Sequence, residues 1–219
     1  MSALVPNRQL FRYEIPLRRR QRPPKIDGDL SDWSDEFLMP PLGKLDGGRK
    51  PFAPVYIAWD DNGLYVACRV TDKRRSLYCE PREFWTGDNL RVCTDMRDAR
   101  DIRRGTRFCQ QFYFLPCGGG ASRKEPVAGS APLHQAREQA PPVSPERIRV
   151  AANVRRNGYT LEAHIPADCL SGFDPVEHRR IGLYYILEDA DHGQQYLTVG
   201  DDLYWWVDPS TWAAAVLCE

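Results

Sequence analysis

Glu162 and His164 stand two residues apart in the segment Tyr159-Thr160-Leu161-Glu162-Ala163-His164-Ile165, so an extended chain would place both on one face. A carboxyl group beside an imidazole, with Asp189 further along, supplies the residue types of acid–base catalysis. No serine or cysteine in a nucleophile context accompanies them, and an enzyme would need Glu162 and His164 in one cleft, which alternation alone does not show. The four histidines (134, 164, 178 and 192) lack metal-ligand spacing. Gly118-Gly119-Gly120 follows a strand but leads into no helix, unlike a phosphate-binding loop. Asp27, Asp29 and Asp32 are the candidate metal ligands and calcium the candidate cofactor, because Ca²⁺ favours clustered carboxylate and carbonyl oxygens. The remaining ligands of a calcium loop are missing, and the plainer reading is an Asp-Gly turn at a strand entry. Glu188-Asp189-Ala190-Asp191 reads as a solvated acidic turn.

Tryptophan is the other chemical resource, with six in the chain. Trp33 and Trp59 lie in apolar patterns and read as core. Trp85 follows Arg82-Glu83 and precedes Gly87-Asp88, a loop context in which a ring can be exposed. In Leu203-Tyr204-Trp205-Trp206-Val207 an extended chain would turn one of the adjacent tryptophans outward.

The elements that must position these residues follow a period of two. Val55–Trp59 and Leu64–Val70 are apolar runs joined by Asp60-Asp61-Asn62-Gly63, and Asn-Gly between such runs signals a hairpin. Asn89–Asp95 and Thr106–Leu115 form a second group; in the latter Phe108, Gln110, Phe112 and Phe114 share one face, Arg107, Cys109, Gln111 and Tyr113 the other. Arg147–Arg155, an Asn157-Gly158 turn and Tyr159–Ile165 form a third. Arg180–Glu188, apolar on both faces, reads as a central strand, and Ala213–Cys218 as the last. Helix is confined to one short turn near 166–170, where Pro166 can open it. Residues 117–145, rich in Gly, Pro, Ala and Ser, show no strand-like run and read as a flexible insertion or lid.

Composition excludes several classes. Lys+Arg and Asp+Glu are 30 each, so the formal net charge of zero gives no electrostatic case for nucleic acid or an anionic membrane. The Arg18-Arg19-Arg20 cluster, with Arg22, is short and ends at Pro23-Pro24. With 42% hydrophobic and 11% aromatic residues the chain can bury a sizeable core. The seven cysteines contain no C-x-x-C pair, which argues against a structural zinc site or a small disulfide framework. Met1–Arg8 lacks a basic segment followed by an apolar run, and no stretch approaches the roughly 18 apolar residues of a membrane span. The chain as given reads as soluble and cytoplasmic, or extracellular if a leader has been trimmed away.

Several segments in order carry a family resemblance. Ile26-Asp27-Gly28-Asp29-Leu30-Ser31-Asp32-Trp33 resembles the I-D-G-x-L-x-x-x-W opening of family 9 carbohydrate-binding modules and their DOMON-like relatives. Trp59-Asp60 with Leu64-Tyr65-Val66, the Trp85–Val92 segment and Tyr159–Pro166 are similar to that family's W-D-x-x-x-L-Y-V, W-x-x-D-x-V-E and Y-x-x-E-x-x-I-P stretches. Ile181-Gly182-Leu183 and Asp208–Trp212 resemble its later I-G-F and D-P-S-x-F elements, where Trp212 replaces a buried Phe. The resemblance runs from about residue 24 to the C-terminus, without the insertion. It implies an all-β, lectin-like or jelly-roll-like antiparallel β-sandwich that often carries structural calcium.

In sugar-binding members two tryptophans sandwich a terminal sugar, and by motif position these correspond to Trp85 and Trp206. The physical basis is that pyranose C–H faces stack on aromatic planes while hydroxyl pairs need directed polar partners. Asp88, Arg91, Gln111 and Tyr113 are the candidate polar residues. Two depart from the family: Arg91 stands where a carboxylate is implied, and Tyr113 where an arginine is. Haem, found in some DOMON-like relatives, is not expected, since Met39 and Met96 lie in polar or proline-flanked stretches. The expectation is one sandwich domain over 1–219, with a tail at 1–22, that binds a carbohydrate or related polyol without catalysis. The alternative is an interaction or scaffold domain that keeps the fold and has lost the sugar. Oligomeric state is left open.

Overall fold

A computed structural model describes residues 13–42, 50–198, 200 and 203–219. Two sheets of alternating strands face each other. Eleven strands are present among the described residues: β1 (Glu14–Arg18), β2 (Val55–Asp60), β3 (Gly63–Val70), β4 (Asn89–Asp95), β5 (Cys109–Gly119), β6 (Glu125–Ala131), β7 (Arg149–Arg155), β8 (Gly158–Pro166), β9 (Arg180–Asp189), β10 (Gly193–Tyr196) and β11 (Ala213–Cys218). One sheet runs β1-β11-β9-β4-β5-β6, with β10 paired to the far end of β9; the other runs β2-β3-β8-β7. The architecture is a β-sandwich, and among the described residues helix is confined to short 3-10 turns, one of them at Ala167–Cys169.

The core lies between the sheets. Ile57, Leu64, Val66, Leu161, Ala163 and Ile165 of the smaller sheet meet Val92, Phe112, Phe114, Leu183 and Leu187 of the larger, all essentially without solvent exposure. Burial of such apolar surface is the main stabilising term. Trp59 and Trp212 belong to this core, and their indole N–H groups donate to the carbonyls of Leu17 (2.7 Å) and Trp205 (2.9 Å). Trp33 belongs to a second cluster with Leu30, Phe37, Tyr56 and Tyr65, on the other face of the smaller sheet.

Both Asn-Gly signals mark hairpins, but their glycines serve a neighbouring strand as well as the turn. Gly63 pairs with Asp60 across the β2–β3 turn at φ +131°, and a Cβ there would collide with the Ile165 carbonyl. A Cβ on Gly158 would collide with the Val70 carbonyl in the same way. β3 and β8 therefore pack as closely as they do because each hairpin leaves a bare Cα where the other passes.

Two expectations need correction. The tail expected over 1–22 falls outside the described residues up to residue 12, but Glu14–Arg18 is a strand, held in parallel register with β11. The 117–145 segment is not strandless: β5 extends to Gly119 and β6 pairs with it. β6 escapes a propensity reading because it is Glu-Pro-Val-Ala-Gly-Ser-Ala, and one of its small residues is required. A Cβ on Gly129 would overlap the Tyr113 ring, which lies across it. The short strand β10 is likewise too polar to stand out.

Candidate functional site

A cleft of about 770 Å³ opens on the outer face of the larger sheet. Strand register explains its floor. Cys93 pairs with Gln111 and with Tyr184, Arg91 with Tyr113 and Ile186, and Asn89 with Glu188, so these side chains share one face of β4, β5 and β9. β6 adds Ala131 opposite Gln111, and β10 adds Gln194 opposite Glu188. Loops supply the walls: Phe84, Trp85 and Thr86 on one side, Trp205 and Trp206 on another, with Pro132 and His134 between strands.

The aromatic walls are held from behind. Phe84 stacks on Tyr113 at 4.3 Å between centroids, and Trp85 meets Phe84 edge-on at 5.1 Å. The loop bearing them is a 3-10 turn opened by Glu80, whose carboxylate accepts from the Arg82 N–H, with Pro81 at its start. Thr86 closes it by donating its hydroxyl to the Glu83 carbonyl at 2.9 Å. Trp205 is buried and stacks on Tyr184 at 4.9 Å; Trp206 meets it at 87° and is half-buried. The extended chain expected here is instead a run of turns, with Tyr204 at φ +52°. Trp85 remains 48% exposed, so its ring is available to a ligand.

The polar floor centres on an ion pair. Arg91 donates from Nη2 to Glu188 at 2.9 Å and from Nε to Asn89 at 3.0 Å, and its guanidinium lies over the Trp205 ring. Burial draws the Arg91 pKa down, and the Glu188 charge opposes that. The cleft therefore has a carboxylate after all, delivered by β9 rather than by β4. The sequence does not place Gln194, His134, Phe84, Thr86 or Trp205 at this site, and the solvated acidic turn expected at 188–191 is instead part of the structure's interior, with Glu188 on the cleft floor and Asp189 buried. The available signal was the alternation of β9, which puts Glu188 on the face of Tyr184.

Of the six residues expected at a ligand site, Trp85, Trp206, Arg91 and Gln111 line this cleft together. Tyr113 stands behind Phe84 and is not in the lining; burial raises its phenol pKa. Asp88 is a correction. It is fully buried, accepts from Lys73 Nζ at 2.5 Å and from the Tyr78 N–H at 2.7 Å, and so braces the base of the Trp85 loop. A carboxylate taken from water must be paired, and Lys73 also lies 2.6 Å from Asp189.

Asp27, Asp29 and Asp32 do not converge. Asp27 accepts from the Asp29 N–H and pairs with Lys25, Asp29 accepts from the Ser31 N–H, and Asp32 accepts from the Lys25 N–H. Among the described residues no group of three His, Cys, Asp or Glu side chains is placed to hold a metal ion. The acid–base trio is dispersed as well. Glu162 accepts from the Trp33 indole (2.7 Å) and the Gly28 N–H (2.7 Å), His164 is bound by Arg149 and the Asn62 carbonyl, and Asp189 belongs to β9 of the other sheet and pairs with Lys73 from the loop after β3. None of the three lines the cleft.

The chain matches the family described as carbohydrate family 9 binding domain-like over residues 44–219. Among solved structures, it is similar to a family 9 carbohydrate-binding module from Caldicellulosiruptor kristjanssonii in complex with cellotriose. That likeness has 15% identity and a TM-score of 0.61, covering 94% of this chain and 93% of that one. The same organism's module in complex with glucose gives 16% identity and a TM-score of 0.60, covering 95% and 96%. No curated protein matches the chain.

Proposed function

The chain belongs to the carbohydrate family 9 binding domain-like family, and from that premise we propose that it is a non-catalytic module that binds a sugar ring in the Trp85–Trp206 cleft. The observation that carries this reading is the composition of the cleft: exposed or half-buried indoles on its walls, fixed charge on its floor. Indole faces suit the C–H faces of a pyranose. The Arg91–Glu188 pair sets a charged donor beside a charged acceptor, the complement of adjacent hydroxyls, and Gln111 and Gln194 extend both functions along the sheet. Both solved relatives hold a glucose-type sugar, which selects the first ligands to try.

The test is calorimetric titration of the folded protein with glucose and cellotriose, followed in parallel by tryptophan fluorescence. Saturable heat with an emission change, weakened in both Trp85→Ala and Trp206→Ala, supports the reading. Silence in both signals, together with a blank glycan array, overturns it.

A further inference from the structure

Outside the cleft, one pair of side chains has chemistry that sugar binding does not use. Cys79 stands at the neck of the loop that carries Trp85: it bridges to Gly87, its sulfur lies 3.4 Å from the Asp88 carbonyl oxygen, and the Asp88 N–H donates to Tyr78 at 2.7 Å. Cys117 lies near the end of β5, where the β5–β6 register shifts between Leu115 and Gly119. The two backbones adjoin. Gly118 sits at φ +110°, and a Cβ there would lie 3.1 Å from the Pro81 ring and 3.4 Å from the Cys79 carbonyl. Arg123, from the β5–β6 turn, donates to that same carbonyl at 3.1 Å. Cys79 and Cys117 are therefore held on adjoining backbone, close enough for each thiol to perturb the other.

We propose that Cys79 and Cys117 are a redox pair whose disulfide fastens the Trp85 loop to β5.

The two sulfurs are unequal in the way such a pair requires. Hydrogen bonding from Cys79 lowers the Cys117 thiol pKa against the effect of burial, and the Arg123 charge adds to it. Cys79 is pushed the other way by the same hydrogen bond and by its burial. Cys117 is half-buried and Cys79 buried, so Cys117 is the sulfur that meets an oxidant first. A cavity of about 590 Å³, lined by Tyr78, Glu80, Pro81, Gly118 and Arg123 among others, opens beside this corner. Elsewhere Cys68, Cys93, Cys109 and Cys169 are buried, and burial raises each of their thiols.

The oxidant is a low-molecular-weight disulfide such as oxidised glutathione. Cys117 thiolate attacks one of its sulfurs, a mixed disulfide forms, and the first glutathione thiolate leaves. Cys79 then gives up its proton and attacks the Cys117 sulfur, expelling the second glutathione thiolate. Two protein thiols are oxidised, one external disulfide is reduced to two thiols, and the protons pass to the leaving groups. The cross-link closes the neck of the loop covalently, so Phe84 stays seated against Tyr113, and Trp85 against Phe84, whether or not a sugar is present.

The experiment incubates the folded chain in graded mixtures of oxidised and reduced glutathione, quenches with an alkylating agent, and maps peptides by mass. A Cys79–Cys117 linked peptide with the four buried cysteines unmodified is the expected result. Cys117→Ser and Cys117→Ala should each abolish the link while leaving a native circular-dichroism spectrum, and amide exchange over residues 80–87 should slow in the oxidised wild type. Persistent glutathionylation of Cys117 without the linked peptide, or equal linking of other cysteine pairs, overturns the proposal. These readouts need no sugar, so they stand or fall separately from the titration.

Discussion

Arg91 and Glu188 meet at 2.9 Å across β4 and β9, two strands that the chain makes nearly a hundred residues apart. The residue that departs from the family pattern thus brings its own counter-charge to the floor of the cleft. Glu188→Gln leaves a buried guanidinium without its anion, and a loss of about 1.5–3 kcal/mol in unfolding free energy is expected for a charged hydrogen bond of this kind. Urea titration measures it. A double-mutant cycle with Arg91→Met should recover coupling of the same order, and independent effects of the two changes would show that the pair contributes nothing.

Trp85 and Trp212 separate ligand contact from core packing. Trp85 is 48% exposed and Trp212 is 1% exposed. Trp85→Ala should weaken sugar affinity by roughly tenfold, the equivalent of about 1.4 kcal/mol, while moving the thermal midpoint little. Trp212→Ala should cost about 3–5 kcal/mol of stability through the cavity it opens. Melting curves alongside titrations of both variants distinguish the two roles.

Lys73 is 2% exposed between Asp88 and Asp189, both fully buried, and Asp191 lies 3.7 Å away. Lys73→Met would strand two carboxylates in the interior, at a cost of about 3–5 kcal/mol near neutral pH. Burial already raises the Asp88 pKa, while hydrogen bonds that outweigh burial hold Asp189 below its ordinary value; without the cation both folded values would rise, so the deficit should shrink as the pH is lowered and the pair takes up a proton. A deficit that grows on acidification would contradict this. Because Asp88 braces the Trp85 loop, sugar affinity should fall in parallel.

His164 is buried against Tyr65, with ring centroids 4.6 Å apart. Burial lowers its pKa, the Arg149 charge adds to that, and the Asn62 carbonyl opposes it. Arg149 donates to Nδ1 at 2.9 Å, which leaves Nε2–H to donate to Asn62 and makes the ring neutral. The unfolded chain then binds the proton more readily than the folded one. The contribution of His164 is complete above about pH 6.5, its ordinary value, and is lost as the pH falls through that value towards the depressed folded one. Denaturant midpoints should decline across that window in the wild type and decline less in His164→Gln.

Much of the sandwich is readable locally because its signals are local. Alternation in Val55–Trp59 and Leu64–Val70, and the two Asn-Gly turns, need only neighbouring residues to be interpreted. β6 was hidden because Gly129 answers to Tyr113 on another strand, and β1 because its partner is at the opposite end of the sequence. The cleft divides on the same line. Trp85, Trp206, Arg91 and Gln111 were found from motif and strand position, whereas Glu188, Gln194 and His134 arrive through register and loop placement. Asp88 is legible as a carboxylate in the tryptophan segment, but its partner Lys73 is 15 residues earlier, and nothing in the spacing links them.

The parallel pairing of β1 with β11 is also a matter of timing. Leu17 sits opposite Leu217, and Arg19 reaches Glu219 across 200 residues. Loop closure on that scale is slow, so the first strand must wait for one of the last. Until it arrives, the edge that β11 will occupy on β9 stays open to any passing strand, including another copy of this chain. The seam that completes the larger sheet is thus also the point at which crowding during synthesis would divert folding towards aggregation.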